Sequence, residues 1–358
     1  MTSLTLDQFD YDLPPSLIAQ TPAEPRDSSR LLVLDKHTGD IQHRIFRDII
    51  DFLNPGDVLV LNTTRVIPAR LHATKVVTGG AVEVLLLRQL DDVRWHCLIG
   101  GKRVVTGVEM AFGAGGVTAI VESVLQESER IIRFNRPLDD ELDGLGEMPL
   151  PPYIHTPLID PERYQTVYNK TSGSAAAPTA GLHFTPELLL KLRERGVLFA
   201  EVTLHVGLGT FKPVNVENIT EYNIHSERAN LRADDASIIN NAKLAGGRVI
   251  AVGTTVARTL ETAGILSEGG DPAAPSAPAE ACAWRPVVAF DRDTNLYIYP
   301  GYRWRVVDAM ITNFHLPKSS LLMMVSAFAG REHILHAYET AKQRGYRFFS
   351  FGDAMFLR

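Results

Sequence analysis

From Val66 to about Pro149 the chain is a succession of short β-rich runs: Ala69 to Val77, Ala81 to Leu90, Arg94 to Ile99, Val117 to Val124 and Arg130 to Asn135. Gly79-Gly80, Gly100-Gly101 and the Gly113 to Gly116 cluster break them. Evenly spaced strands with little helical periodicity predict a small antiparallel barrel or sandwich. Both flanks read differently, as strands and helices in alternation, which predicts an α/β unit with a largely parallel sheet. At 358 residues the chain also exceeds what one hydrophobic core usually serves. The expectation is an α/β domain formed by residues 1–64 and 150–358, interrupted by a β-barrel-like domain over 65–149.

In the flanks, Val58-Leu59-Val60-Leu61 follows the turn Asn54-Pro55-Gly56 and reads as a buried strand ending at Asn62-Thr63-Thr64-Arg65. Thr185-Pro186-Glu187 has the chemistry of a helix start, and Gly196 closes that helix before a strand over Val197 to Val206. Further strands are expected at Val249 to Val252, Val306 to Ile311 and Arg347 to Phe351. Helices are expected at Asp234 to Leu244, Thr255 to Thr262, Ser319 to Phe328 and His333 to Arg344. Ser267 to Ala281 is an exposed loop by composition.

Several function classes fall away. The net charge of −6, from 36 basic and 42 acidic side chains, argues against a nucleic-acid binder driven by overall charge, though not against a local basic patch. Cys97 and Cys282 are too few for a disulfide framework, which fits a reducing cytoplasm. Met1 to Asp12 does not read as a signal peptide, and no apolar run approaches the roughly 20 residues a membrane span needs. Phosphate-loop, zinc-helix, nucleophile-elbow and Cys-x-x-Cys motifs are absent, and the histidines lack close metal-ligand spacing, so no metal is expected. No heptad or interface stripe specifies an oligomer; a monomer is the expectation.

Ligands of open α/β sheets bind beyond the carboxyl ends of the strands. Here those ends deliver Asn62 and Arg65; His205, Gly207 and Gly209; Gly253, Thr254 and Thr255; Asn313 and His315; and Gly352 with Asp353. Such convergence points to an enzyme. His183 and His205 sit among small residues where an imidazole can reach a ligand, and His225 with Glu227, two apart, would share a face of an extended segment. Gly253-Thr254-Thr255 opens a helix whose first amides could hold an anion. The tryptophans have no evident role beyond packing.

Taken together, Ala176 to Phe184 (Ala-Ala-Pro-Thr-Ala-Gly-Leu-His-Phe), Leu204 to Phe211 (Leu-His-Val-Gly-Leu-Gly-Thr-Phe), His225-Ser226-Glu227, Val252 to Arg258 and Thr312 to Pro317 resemble the S-adenosylmethionine:tRNA ribosyltransferase-isomerase family of queuosine biosynthesis. Asn62 to Leu71 and Gly352 to Met355 resemble it too. The resemblance implies a reaction in which the ribosyl moiety of S-adenosylmethionine passes to the aminomethyl group of a 7-deazaguanine at the tRNA wobble position. Epoxyqueuosine forms, and adenine and methionine leave. S-adenosylmethionine is then a consumed donor rather than a cofactor, and tRNA is the second substrate. Under this reading His183 and His205 are candidates for base and acid, with His225 and Glu227 a second couple. Asn62, Gly207, Gly209, Thr254, Thr255, Asn313 and His315 would form the nucleoside pocket, with Asp353 at the same edge. Arg65, Arg258 and the inserted domain would meet RNA phosphates. The residues alone leave two other readings open, a non-catalytic RNA-binding protein and a metal-dependent hydrolase.

Overall fold

The computed structural model describes residues 4–125, 128–207, 214–275 and 284–358. Strands β1 (Arg30–Leu34), β2 (Ile41–Ile45) and β3 (Val58–Asn62) come first. β4 (Thr64–Val66) leads into β5 (Arg70–Lys75), β6 (Ala81–Gln89), β7 (Arg94–Gly100), β8 (Glu109–Phe112), β9 (Val117–Val124), β10 (Glu129–Phe134), helix α1 (Leu142–Leu145) and β11 (Gly146–Glu147). Then follow β12 (Thr171–Ser174), α2 (Pro186–Glu194), β13 (Leu198–Leu204), β14 (Glu227–Leu231), α3 (Ala233–Leu244), β15 (Val249–Val252), α4 (Thr254–Ser267) and β16 (Phe290–Thr294). β17 (Ala309–Asn313), α5 (Ser320–Ala329), α6 (Arg331–Gln343) and β18 (Ala354–Leu357) complete the chain.

The main sheet has nine strands in the order β16, β14, β13, β3, β15, β17, β18, β1, β2. β13, β3, β15 and β17 are mutually parallel and form its centre, as the alternating pattern predicts. All five residues of β3 are buried, because the sheet is covered on both faces. Leu59, Leu61, Ile250, Val252 and Ile311 face a layer with α2, while Val58, Val60, Ala251 and Met310 face the larger layer built from α3 to α6. No described helix is long and apolar enough to cross a membrane.

One strand assignment changes. Arg347 to Phe351 is not a strand: the Asp353 carboxylate accepts the amides of Arg347 and Arg30 at 2.8 and 2.9 Å, folding the segment back, with Phe349 at a φ of 69°. The last strand is instead β18, antiparallel to β17 with Asn313 opposite Ala354, and β1 runs parallel to β18. The start of β18 and the start of β1 therefore lie at the edge where the central strands end. Ser29 and Asp353 reach that edge by preceding strands rather than following them.

β5, β6, β7, β10, β9 and β8 close into a six-stranded antiparallel barrel through the β5–β8 pairing, and β11 extends the free stretch of the same β5 edge. β8 was not foreseen in the sequence; its four residues, with only Met110-Ala111-Phe112 as an apolar run, are enclosed between Gly107 and Gly113. The barrel has a core of its own drawn from residues 69–142. Along β7, Trp95, Cys97 and Ile99 point into that core while His96 and Leu98 point outward. That outward face meets the α/β domain.

Candidate active site

The continuation of β13 divides two cavities. His205 and Gly207 line a cleft of about 570 Å³ between the α/β domain and the barrel, whereas Val206, pointing the other way, lines a narrower cavity. Ser174 fixes this wall, its hydroxyl accepting the Val206 amide at 2.9 Å, and Ala175 donates to the Val206 carbonyl at 3.0 Å.

In the cleft, the His205 ring lies against Gly173, where a Cβ would come within 3.0 Å of its Cε1. Nδ1 meets Thr64 Oγ1 at 2.9 Å, and the Thr64 hydroxyl points on to the Thr171 carbonyl at 3.5 Å. That chain places the ring hydrogen on Nδ1 and leaves the Nε2 lone pair without a partner among the described residues. Burial lowers the His205 pKa, so the ring is a neutral base. His225, just before β14, is exposed and lines the same cleft. Glu227 also borders it, but is buried: its partners include the Gly207 amide at 2.9 Å and Arg258 Nη1 at 2.5 Å. The expected His225–Glu227 couple is thus two residues that border one cleft, one exposed and one buried.

The Glu227–Arg258 pair corrects the reading of Arg258 as a phosphate contact. Arg258 lies in α4, only 2% exposed, and its charge is met by a carboxylate. Arg65 is likewise elsewhere: its guanidinium forks onto Glu162 at 2.5 and 3.2 Å and borders a different cleft, on the Met148 to Gln165 side of the barrel.

The narrower cavity is lined by Thr254 and Thr255 at the start of α4, by Asn313, His315 and Phe314, and by Tyr153 and Phe349. Gly253 caps the helix with a φ of 97°, a conformation that turns the chain sharply from β15 into α4 and presents the first-turn amides to the cavity. His315 Nε2 meets Thr312 Oγ1 at 2.7 Å, and burial pushes its pKa down to about 3.

Three predicted residues stand behind these walls rather than in them. Asn62 is fully buried, bonding the Leu204 amide and carbonyl at 3.1 and 3.0 Å and the Thr255 hydroxyl at 3.3 Å, so it stitches β3, β13 and α4 together. Asp353 is spent on the two amides described above. His183 stacks on Phe46 at 4.9 Å, accepts from the Asn313 amide at 3.2 Å through Nε2, and meets Ser29 Oγ at 2.7 Å through Nδ1. Thr179 donating to Asn313 Oδ1 at 2.9 Å fixes the amide's orientation and with it the ring tautomer. Burial, Arg347 and Arg26 push the His183 pKa down to about 3. With both nitrogens engaged, the geometry gives His183 a bracing role in place of acid–base work. Gly209 lies outside the described residues.

A family model for queuosine biosynthesis proteins matches residues 6–357. The crystal structure of S-adenosylmethionine tRNA ribosyltransferase from Thermotoga maritima is 38% identical, aligning with 98% of this chain and 100% of that one at a TM-score of 0.54. The chain belongs to the queuosine biosynthesis protein family. What sequence reasoning missed in this queuosine biosynthesis protein is the barrel's share of the cleft: Leu87, His96, Leu98 and Glu129. The outward alternation along β7 was a signal for His96 and Leu98; no spacing rule could have brought Glu129 beside them. Tyr153 and Phe349, in loops, were equally unannounced.

Proposed function

We propose that this enzyme transfers and isomerises the ribosyl moiety of S-adenosylmethionine onto the 7-aminomethyl-7-deazaguanine at the wobble position of a tRNA, releasing adenine and methionine. The observation that carries the site assignment is the meeting of His205, His225 and the Gly207 amide in one interdomain cleft, with a helix N-terminus just across the Val206 wall. The donor's sulfonium acidifies its neighbouring 5′ carbon, and His205 Nε2, neutral and without a partner among the described residues, is the group that takes that proton. His225, exposed and able to exchange with solvent, protonates the departing adenine. The first-turn amides of α4 beside Thr254 and Thr255 suit the donor's carboxylate. Glu227 and Arg258 act through Gly207, whose amide they hold in place.

Incubation with S-adenosylmethionine and a tRNA carrying the aminomethyl base tests the reading, with adenine release and the heavier nucleoside as readouts. His205→Ala is expected to lower turnover by about 10²- to 10⁴-fold, the usual contribution of a positioned base. Full activity in both His205→Ala and His225→Ala would remove these roles. tRNA binding without product would leave a non-catalytic RNA-binding protein.

A further inference from the structure

Across the cleft from His205 and His225, the barrel presents His96 of β7 and Glu129 of β10. Nε2 of His96 and Oε2 of Glu129 meet at 3.1 Å, with the side chains 26% and 21% exposed. They sit on the outward face, away from Trp95, Cys97 and Ile99 in the barrel core. Leu98, opposite Glu129 in the strand register, and Leu87 add apolar surface to the same cleft wall. The volume of about 570 Å³ lies within the range of small-molecule sites and admits a purine-sized base.

We propose that the His96–Glu129 couple receives the primary amine of the acceptor base, an inference that rests on the function proposed above. A primary alkyl amine with a pKa of about 10 is an ammonium near neutral pH and has no lone pair with which to attack. The carboxylate attracts that ammonium, and the imidazole it orients takes the proton through Nδ1, which has no partner among the described residues. The N–H bond breaks, its electron pair stays on nitrogen, and the resulting imidazolium is stabilised by Glu129. Two electron pairs enter the sugar: the amine's freed lone pair forms the new nitrogen–carbon bond, and the pair left on the 5′ carbon when its proton is taken forms a new bond within the rearranging sugar. Two leave, those of the glycosidic and carbon–sulfur bonds, with adenine and methionine. The charged residues described along the same cleft have partners of their own. Arg88 is paired with Asp293 at 2.9 Å, Arg228 with Asp291 at 2.9 Å, and Glu227 with Arg258. Among the described residues, His205 and His225 are the other titratable groups facing the cleft.

The test is the pH profile of the full-length enzyme with His96→Gln and Glu129→Gln, on S-adenosylmethionine and tRNA bearing the aminomethyl base. Near pH 7 each variant is expected to lose about tenfold or more in kcat/KM for the tRNA. The loss should close as the pH approaches about 10, where the amine sheds its own proton. S-adenosylmethionine affinity by equilibrium dialysis should not change. A deficit that persists at all pH values, an affinity for the donor that falls in step, or unaltered turnover overturns the proposal. Leu98→Trp, which fills the cleft without removing the couple, should raise the tRNA KM at every pH; an unchanged KM places the acceptor elsewhere and overturns it too. A wild-type enzyme that makes no product at all sinks the functional reading itself.

Discussion

At His183 and His315 the fold holds imidazoles in surroundings that reject their charged forms. Their pKa values lie at about 3, against about 6.5 for an exposed ring. Between those values the unfolded chain takes up protons that the folded chain does not, so stability is full above the unfolded pKa and declines as the pH falls below it. The decline should be about 1.4 kcal/mol per pH unit for each ring. Urea unfolding of the wild type and His183→Gln through this window measures it; an identical slope in both would contradict the assignment. Arg258→Met takes the guanidinium away from the buried Glu227 carboxylate and is expected to cost about 3–5 kcal/mol. Adding Glu227→Gln should return a large part of that in the same denaturation assay. The spacing of His225 and Glu227 correctly hinted at a shared location. The partner 31 positions away that turns Glu227 inward is a tertiary fact, invisible to any local pattern.

Among the elements, the central strands were legible because strands covered on both faces must be continuously apolar, as in β3 and β15. Phe348, Phe349 and Phe351 show the limit of that rule. They form an apolar run that is buried like a strand, yet Asp353 bends it into a turn while the adjoining Ala354–Leu357 pairs instead. Such a choice between neighbouring apolar runs depends on one carboxylate. The junction of β15 with α4 carries its own prediction. An alanine Cβ at Gly253 would find room, 3.6 Å from the nearest atom, but the φ of 97° penalises any side chain. Gly253→Ala should therefore cost about 1–2 kcal/mol in stability and, by tilting the first turn of α4, raise the KM for S-adenosylmethionine.

For the whole molecule, composition and glycine spacing were enough to separate a barrel from an α/β unit, whereas the cleft between them was not readable. It is assembled from β6, β7, β10, strand β12, the carboxyl end of β13 and the start of β14, and only β13 follows the rule that ligands lie beyond carboxyl ends of strands. Arg88 of the barrel and Asp293 of β16 form an ion pair across this boundary. Because both are substantially exposed, Arg88→Ala should change stability by no more than about 1 kcal/mol. Its effect should instead fall on kcat/KM for tRNA, since the pair helps set how the barrel wall stands over His205; equal losses in stability and activity would contradict this. The Val206 wall has one more implication. Successive residues there serve opposite chambers, so the arrangement depends on parity: inserting a single residue between Leu204 and His205 would exchange the chambers that the imidazole and the isopropyl group face, taking the proposed base out of the cleft and putting an apolar side chain into it. Length in this stretch is therefore constrained more tightly than any single side chain along it.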